Sequence, residues 1–213
     1  MKICVTIPTR GIIFADTIRS TFQNEELLPN TIFKIITNRH IPDSHNQCVM
    51  EALETNATHI LFVEDDMYIP EGVISSFIDK ASHGVRYVSI DYGFIKDEKG
   101  IGNTSVFQNS EGVWWTGLGC TLLDLGMFVQ EFEYPFFTDE YKVSFTTTEP
   151  FQYTITQSDD KHRYGRFDTY FGIQCMKKNI KKVVIPGRAI HLRSSNLNRT
   201  MDNNGLFDIQ RLT

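Results

Sequence analysis

Four short runs rich in β-branched and aromatic residues, at 2–7, 33–37, 60–63 and 85–90, alternate with helix-length segments, and this alternation constrains the fold more than any other feature of the chain. Each run is too short for a helix and is closed by turn formers, such as Pro8 and Gly11 after the first. Residues 14–24 between the first two runs carry apolar side chains at 14, 15, 18 and 22, the spacing of one helical face. Ser44 and Gln47 have capping-box spacing for a helix reaching about Thr55, with Cys48, Val49, Ala52 and Leu53 inward. Pro70 suits the first turn of a third helix that carries Val73, Ile74, Phe77 and Ile78 and ends near Gly84. Strand–helix alternation of this kind predicts an α/β fold with a mainly parallel central sheet flanked by helices on both faces.

The second half reads differently. Residues 105–115 suggest a strand or a hairpin, and 116–123 a strand entered through the Gly117 and Gly119 turn. Short helices are expected at 125–131 and 169–178, with strands at 182–185 and 188–192. A chain of 213 residues is long enough for one substantial core. The simplest organisation is one domain over 1–192, with halves 1–95 and 96–192, followed by a polar tail over 193–213.

A formal net charge of −5 without a basic stripe argues against nucleic-acid binding. Lys177, Lys178, Lys181 and Lys182 form the one basic cluster and read as a solvated face. Cys4, Cys48, Cys120 and Cys175 have no metal-knuckle or redox spacing and are expected as free buried thiols of a reducing compartment. Residues 1–7 are strand-like and not a signal peptide, and no apolar run reaches membrane-spanning length, so a soluble, cytoplasmic protein without a membrane span is expected.

The run at 60–63 ends abruptly in Glu64, Asp65 and Asp66. Acids at the carboxyl end of a buried strand lie where open α/β sheets bind ligands. Along an extended chain Glu64 and Asp66 share one side and Asp65 takes the other. Three adjacent carboxylates repel one another unless a cation or hydrogen-bond donors offset them, which points to a divalent-metal site holding a phosphorylated ligand. Arg10 and Arg39 follow strands at the same edge and are candidates for pyrophosphate or base contacts, and Thr9 and Asn46 for hydrogen bonds to a nucleoside. A turn or capping role is the alternative for each of these four.

In order and spacing, these pieces resemble the GT-A fold of the nucleotide-sugar glycosyltransferases. Pro8-Thr9-Arg10 looks like that family's first nucleotide-binding turn, and Ser44-His45-Asn46 stands where many members have Ala-Arg-Asn. Phe62-Val63-Glu64-Asp65-Asp66-Met67 resembles the metal-binding DxD segment in a Glu-Asp-Asp form. Trp115-Thr116-Gly117-Leu118-Gly119 is similar to the glycine-rich strand beside the acceptor, and Asp168-Thr169-Tyr170-Phe171 to the opening of the catalytic-side helix. His191 matches the histidine that closes the metal site. The compact size and the Glu-Asp-Asp form are also similar to the glycosyltransferases that large algal (chlorella) viruses encode for capsid glycans.

The resemblance implies a metal-dependent transfer of a sugar from a nucleoside-diphosphate donor, with uridine the best match, to a hydroxyl of a glycan or glycoprotein, a viral capsid glycan among them; for a viral enzyme the compartment is the host cytoplasm. It assigns Asp66 and His191 to a Mn²⁺ or Mg²⁺ ion, with Glu64 reaching the ion through water and Asp65 contacting ribose. His191 has a satisfied strand-edge histidine as its alternative. Asn38 stands near the position where members carry a base-reading Asp. Asp168 is the candidate catalytic base, with Asp91 in reserve; Phe167 replaces the Glu that precedes this Asp in inverting members, and in a retaining enzyme Asp168 would only orient the acceptor. Asp168 is equally suited to capping the helix that follows it. Trp114 or Trp115 offers a face for a sugar ring, with Gly117 and Gly119 letting the sugar approach. Tyr164, Gly165 and Arg166 are candidates for a flap over the donor.

Two other classes compete. A sugar-phosphate nucleotidyltransferase needs a glycine-rich phosphate loop, and 8–11 supply one glycine. A non-catalytic nucleotide- or metal-binding module would keep the acids without the chemistry.

Overall fold

The computed structural model describes residues 1–9, 11–24, 30–37, 39–95, 101–102, 105–109, 112–145, 153–157 and 167–192. Along the chain these form β1 (Ile3–Pro8), α1 (Ala15–Phe22), β2 (Thr31–Ile36), α2 (Asp43–Leu53), β3 (His59–Val63), β4 (Met67–Tyr68), α3 (Val73–Ser82), β5 (Tyr87–Ile95), β6 (Ile101–Gly102), β7 (Val106–Asn109), β8 (Gly112–Thr116), β9 (Cys120–Asp124), α4 (Leu125–Glu131), β10 (Tyr141–Phe145), β11 (Tyr153–Gln157), α5 (Phe167–Lys177) and β12 (Lys182–His191).

The central sheet has the order β2-β1-β3-β9-β5-β12-β4, with β6 added on β5. β1 pairs in parallel with β2 and β3, and β5 in parallel with β12. β9 lies antiparallel to both β3 and β5, so β2, β1, β3, β5 and β12 all run one way. The mainly parallel α/β sheet is therefore present, with β9 as the main interruption. Its direction follows from the connection. After β5 the chain makes the β7–β8 hairpin instead of crossing the sheet through a helix, so the next strand runs back.

Alternating side chains put a core on each face of the sheet. Ile3, Val5, Ile7, Leu61, Val63, Val88 and Ile90 face α3, with Val73, Ile74 and Phe77 packed on them. Cys4, Ile60, Phe62 and Tyr87 face the other way, towards Cys48 and Val49 of α2, Phe128 of α4 and Phe171 of α5. All four cysteines are free and buried.

Several local expectations change. The buried face of α1 is polar, carrying Asp16, Thr17, Ser20 and Thr21, while Phe22 is exposed and stacks on Phe33. That face covers backbone: Thr17 Oγ1 donates to the Asp65 carbonyl, and the Ile69 N–H donates to Ser20 Oγ. α2 starts at Asp43 without a side-chain cap, and Ser44 Oγ lies 3.4 Å from His45 Nδ1 instead. The two late strands are one, β12, with an irregularity between Ile185 and Arg188. Lys182 leaves the basic cluster and turns inward, where its Nζ donates to the Gly172 carbonyl at 2.9 Å. Among the described residues no helix is long and apolar enough to cross a membrane.

Candidate metal centre

β3 ends at Val63, and the turn that follows is fixed from three sides. The Glu64 N–H donates to the Gly119 carbonyl at 2.9 Å, which carries the β3–β9 ladder one residue further. The Asp65 carbonyl accepts from Phe14 N–H and Thr17 Oγ1, tying the turn to α1. The Leu192 N–H donates to the Asp66 carbonyl at 2.6 Å, and β12 pairs antiparallel with β4 in the register His191↔Met67. This register brings His191 to the acids.

His191 Nε2 lies 3.1 Å from Asp66 Oδ1 and 3.7 Å from Glu64 Oε2, and one ligand atom from each of the three residues falls within 4.8 Å of the others. Asp66 is buried, and Glu64 and His191 are half-buried. Neighbouring corners of an octahedron around an ion held at about 2.1 Å are about 3 Å apart, so the separations suit a shared cation. Two carboxylates and an imidazole also match the donor preferences of Mn²⁺, with hard oxygens alone favouring Mg²⁺.

The acids open on a cleft of about 170 Å³ whose walls come from the carboxyl ends of β1 and β3 and the start of α2. Pro8, Thr9, Asp65 and the exposed Arg39 line it together with the three candidate ligands. His45 lines it too, caged by the Phe62, Phe137 and Phe167 rings. Burial lowers its pKa to about 4 against a small opposing pull from Glu64, so the imidazole is neutral. Its Nε2 is buried and has no hydrogen-bond partner among the described residues. His45 was given no role from the sequence; it stands at a position associated with a charged residue, and its aromatic cage is assembled from three distant segments.

Asp168 sits in the first turn of α5, where its Oδ1 accepts the Thr169 N–H at 2.7 Å. Some of its surface remains accessible, yet desolvation dominates and raises its pKa to about 7, with Glu64 adding to the rise. The Trp115 indole opposes that rise, although among the described residues its buried Nε1 makes no hydrogen bond of normal geometry. β8 and α5 meet closely here: a Cβ on Gly172 would lie 3.2 Å from the Trp115 Cα.

Asp91 is held as an acceptor, taking the Ser105 N–H at 2.9 Å on Oδ1 and facing Arg188 Nε at 3.4 Å with Oδ2. Asn46 is buried with both ends of its amide on the Phe137 backbone, donating at 2.8 Å and accepting at 3.0 Å, so it clamps two distant parts of the chain together. The Thr9 hydroxyl closes a local turn, donating to the Ile12 carbonyl and accepting the Gly11 N–H. Tyr92 fills the space that side chains at Gly117 and Gly119 would take: a Cβ on Gly117 would lie 1.9 Å from the Tyr92 hydroxyl oxygen. Of the two tryptophans, Trp114 is core and Trp115 is half-buried beside Asp168. Arg10, Asn38, Tyr164, Gly165 and Arg166 lie outside the described residues.

No family model matches the sequence, and no curated protein does. Solved structures do match in shape. The crystal structure of A197 from STIV superposes with a TM-score of 0.58 at 16% identity, over 87% of this chain and 82% of that one. The crystal structure of S. aureus TarS gives 0.51 at 11% identity over 91% of this chain, which corresponds to 37% of the TarS chain. A glycosyltransferase involved in the glycosylation of the major capsid of PBCV-1 gives 0.45 at 11% identity, over 92% of this chain and 95% of that one. The first two likenesses, with the sheet order above, identify the fold as GT-A type.

Proposed function

We propose that this protein is a metal-dependent glycosyltransferase that moves a sugar from a nucleoside-diphosphate donor, uridine diphosphate first, to a hydroxyl of a glycan or glycoprotein, a viral capsid glycan among the acceptors to test. One observation carries the reading: Glu64, Asp66 and His191 converge at the carboxyl edge of a GT-A-type sheet, beside a cleft. Bound there, Mn²⁺ or Mg²⁺ would offset the negative charge that grows on the departing diphosphate.

The remaining roles belong to side chains. Arg39 supplies positive charge at the cleft wall, suited to phosphate oxygens. Asp65 is the candidate acceptor for ribose hydroxyls. In the transfer, the bond from the anomeric carbon to the phosphate oxygen breaks and a bond to the acceptor oxygen forms. The acceptor's proton goes to Asp168, whose pKa of about 7 suits a base working near neutrality.

Incubation with a panel of nucleotide sugars and Mn²⁺, scored by release of nucleoside diphosphate, tests the proposal. Release from at least one donor, abolished by chelation and by Asp66→Ala, is the expected result. Release that is indifferent to both, or absent across the panel, defeats it.

A further inference from the structure

Tyr92 is wedged between the candidate metal ligand His191 and the turn before β9. On one side its ring lies nearly parallel to the His191 imidazole, with an interplanar angle of 18° and centroids 6.2 Å apart. On the other it fills the slot left by Gly117 and Gly119, where a Cβ on Gly119 would stand 3.0 Å from its Cζ. The Gly119 N–H donates to the Tyr92 hydroxyl at 3.4 Å, and the Tyr92 N–H is taken by Ser105 Oγ at 3.0 Å. In the β5–β12 register Tyr92 pairs with Ala189, so His191 is its diagonal neighbour two residues along the same face. The ring is 7% exposed and belongs to the core cluster that includes Met67 and Ala189.

An imidazole at the end of a strand has two soft torsions and holds one orientation only if something blocks the others. Here Tyr92 occupies one face of the ring, while β4 fixes the backbone of His191. We propose that Tyr92 is the positioning residue of the metal centre, its ring holding the His191 imidazole so that Nε2 faces Asp66 and Glu64. The inference rests on the proposed reading of those three residues as ligands of a divalent cation. It also gives Gly117 and Gly119 a purpose: they are small so that the ring can lie flat against the turn.

The test is a Mn²⁺ titration followed by the electron paramagnetic resonance of the free ion, in the presence of uridine diphosphate. The variants are Tyr92→Phe, Tyr92→Leu, His191→Ala and the Leu/Ala double, with folding checked by circular dichroism and melting. Tyr92→Phe is expected to stay within about twofold of the parent, and Tyr92→Leu to weaken Mn²⁺ binding about tenfold or more, as loss of a supporting residue around a metal does. In the His191→Ala background the Leu substitution should have no further effect, because Tyr92 acts through that ring. If Tyr92→Leu does not fold, Gly119→Ala displaces the same ring from the other side and should weaken binding likewise. A folded Leu variant with parental affinity overturns the inference, and so does an equal loss in the His191→Ala background. A parent protein that binds no Mn²⁺ fails earlier, and defeats the metal reading itself.

Discussion

His191 Nε2 stands 3.1 Å from Asp66 Oδ1, joining the end of the last described strand to the turn after the third. Neither residue is placed by its sequence neighbours. Asp66 is fixed by the bonds of Glu64 to Gly119 and of Asp65 to α1 just before it, and by the Leu192 N–H on its own carbonyl; His191 is fixed by the register of β12 against β4 and β5. The centre is therefore a product of the assembled sheet, and its loss should be separable from loss of fold.

Asp66→Ala is expected to leave the fold intact and to lower Mn²⁺ affinity by more than about 100-fold, beyond what loss of a supporting residue alone does. Titration calorimetry with Mn²⁺ and uridine diphosphate measures it. Affinity within a factor of about two of the parent would remove Asp66 from the ligand set.

Asp168→Asn should cut transfer by about 10² to 10⁴ while donor binding is kept, the range for loss of a general base. In the parent, kcat/KM should rise with pH through about 7, where burial and Glu64 hold the Asp168 carboxyl. Transfer is measured with Mn²⁺ present, and a cation neutralising Glu64 removes part of that upward push, so the midpoint should lie at or somewhat below 7. A flat profile would assign Asp168 to the first turn of α5 alone, where it already accepts the Thr169 N–H.

Much of the fold was legible because it is written in local pattern. The runs at 2–7 and 60–63 correspond to β1 and β3, and 125–131 to α4. The misses share a cause, which is a tertiary partner invisible in sequence. The stripe of α1 was read from its apolar residues, but the helix covers the polar backbone of the acid turn, so Thr17 and Ser20 face inward. The Gly117 and Gly119 pair signals a close approach, and sequence does not say that Tyr92 is what approaches. The acid triplet was legible as a group; the neutrality of His45, set by rings from three segments, was not.

His45 should shape the acid limb of stability. Its folded pKa of about 4 lies below the ordinary 6.5, so between these values the unfolded chain binds a proton that the native state refuses. Stability from this group is thus complete above pH 6.5 and is lost as pH falls towards 4, a change of about 3 kcal/mol. Asp168 acts in the opposite sense: its raised pKa favours the folded state at low pH, and that contribution is lost as pH rises towards 7. Chemical denaturation from pH 4 to 8 should show His45→Phe gaining relative to the parent as pH falls, and Asp168→Asn gaining as pH rises. Parallel curves for parent and His45→Phe would mean that the imidazole is not held neutral.

Gly117→Ala tests the slot of Tyr92. A methyl group there would stand 1.9 Å from the Tyr92 hydroxyl oxygen, in a region where backbone and ring are both buried. Overpacking of this kind costs about 1–3 kcal/mol. Urea unfolding should show that loss, and Gly117→Ala combined with Tyr92→Phe should recover part of it, since the closest atom is then gone. A variant as stable as the parent would mean that the turn yields without strain.

Asn46 separates a structural from a nucleotide role most directly. Its amide bridges two parts of the chain that are 91 residues apart, giving a hydrogen to the Phe137 carbonyl and taking one from the Phe137 N–H. Both backbone groups are buried, so truncation strands a donor and an acceptor together. Asn46→Ala should therefore destabilise the protein by about 2–3 kcal/mol, the desolvation penalty of unpaired buried groups. Asn46→Asp keeps an acceptor for the Phe137 N–H but turns a carboxylate oxygen towards the Phe137 carbonyl, so it should recover little. Uridine diphosphate affinity, measured well below the melting temperature, should stay within about twofold of the parent in both variants, since each end of the amide is already engaged by the Phe137 backbone. Unchanged melting together with a large loss of nucleotide affinity would reverse this assignment and return Asn46 to the donor site.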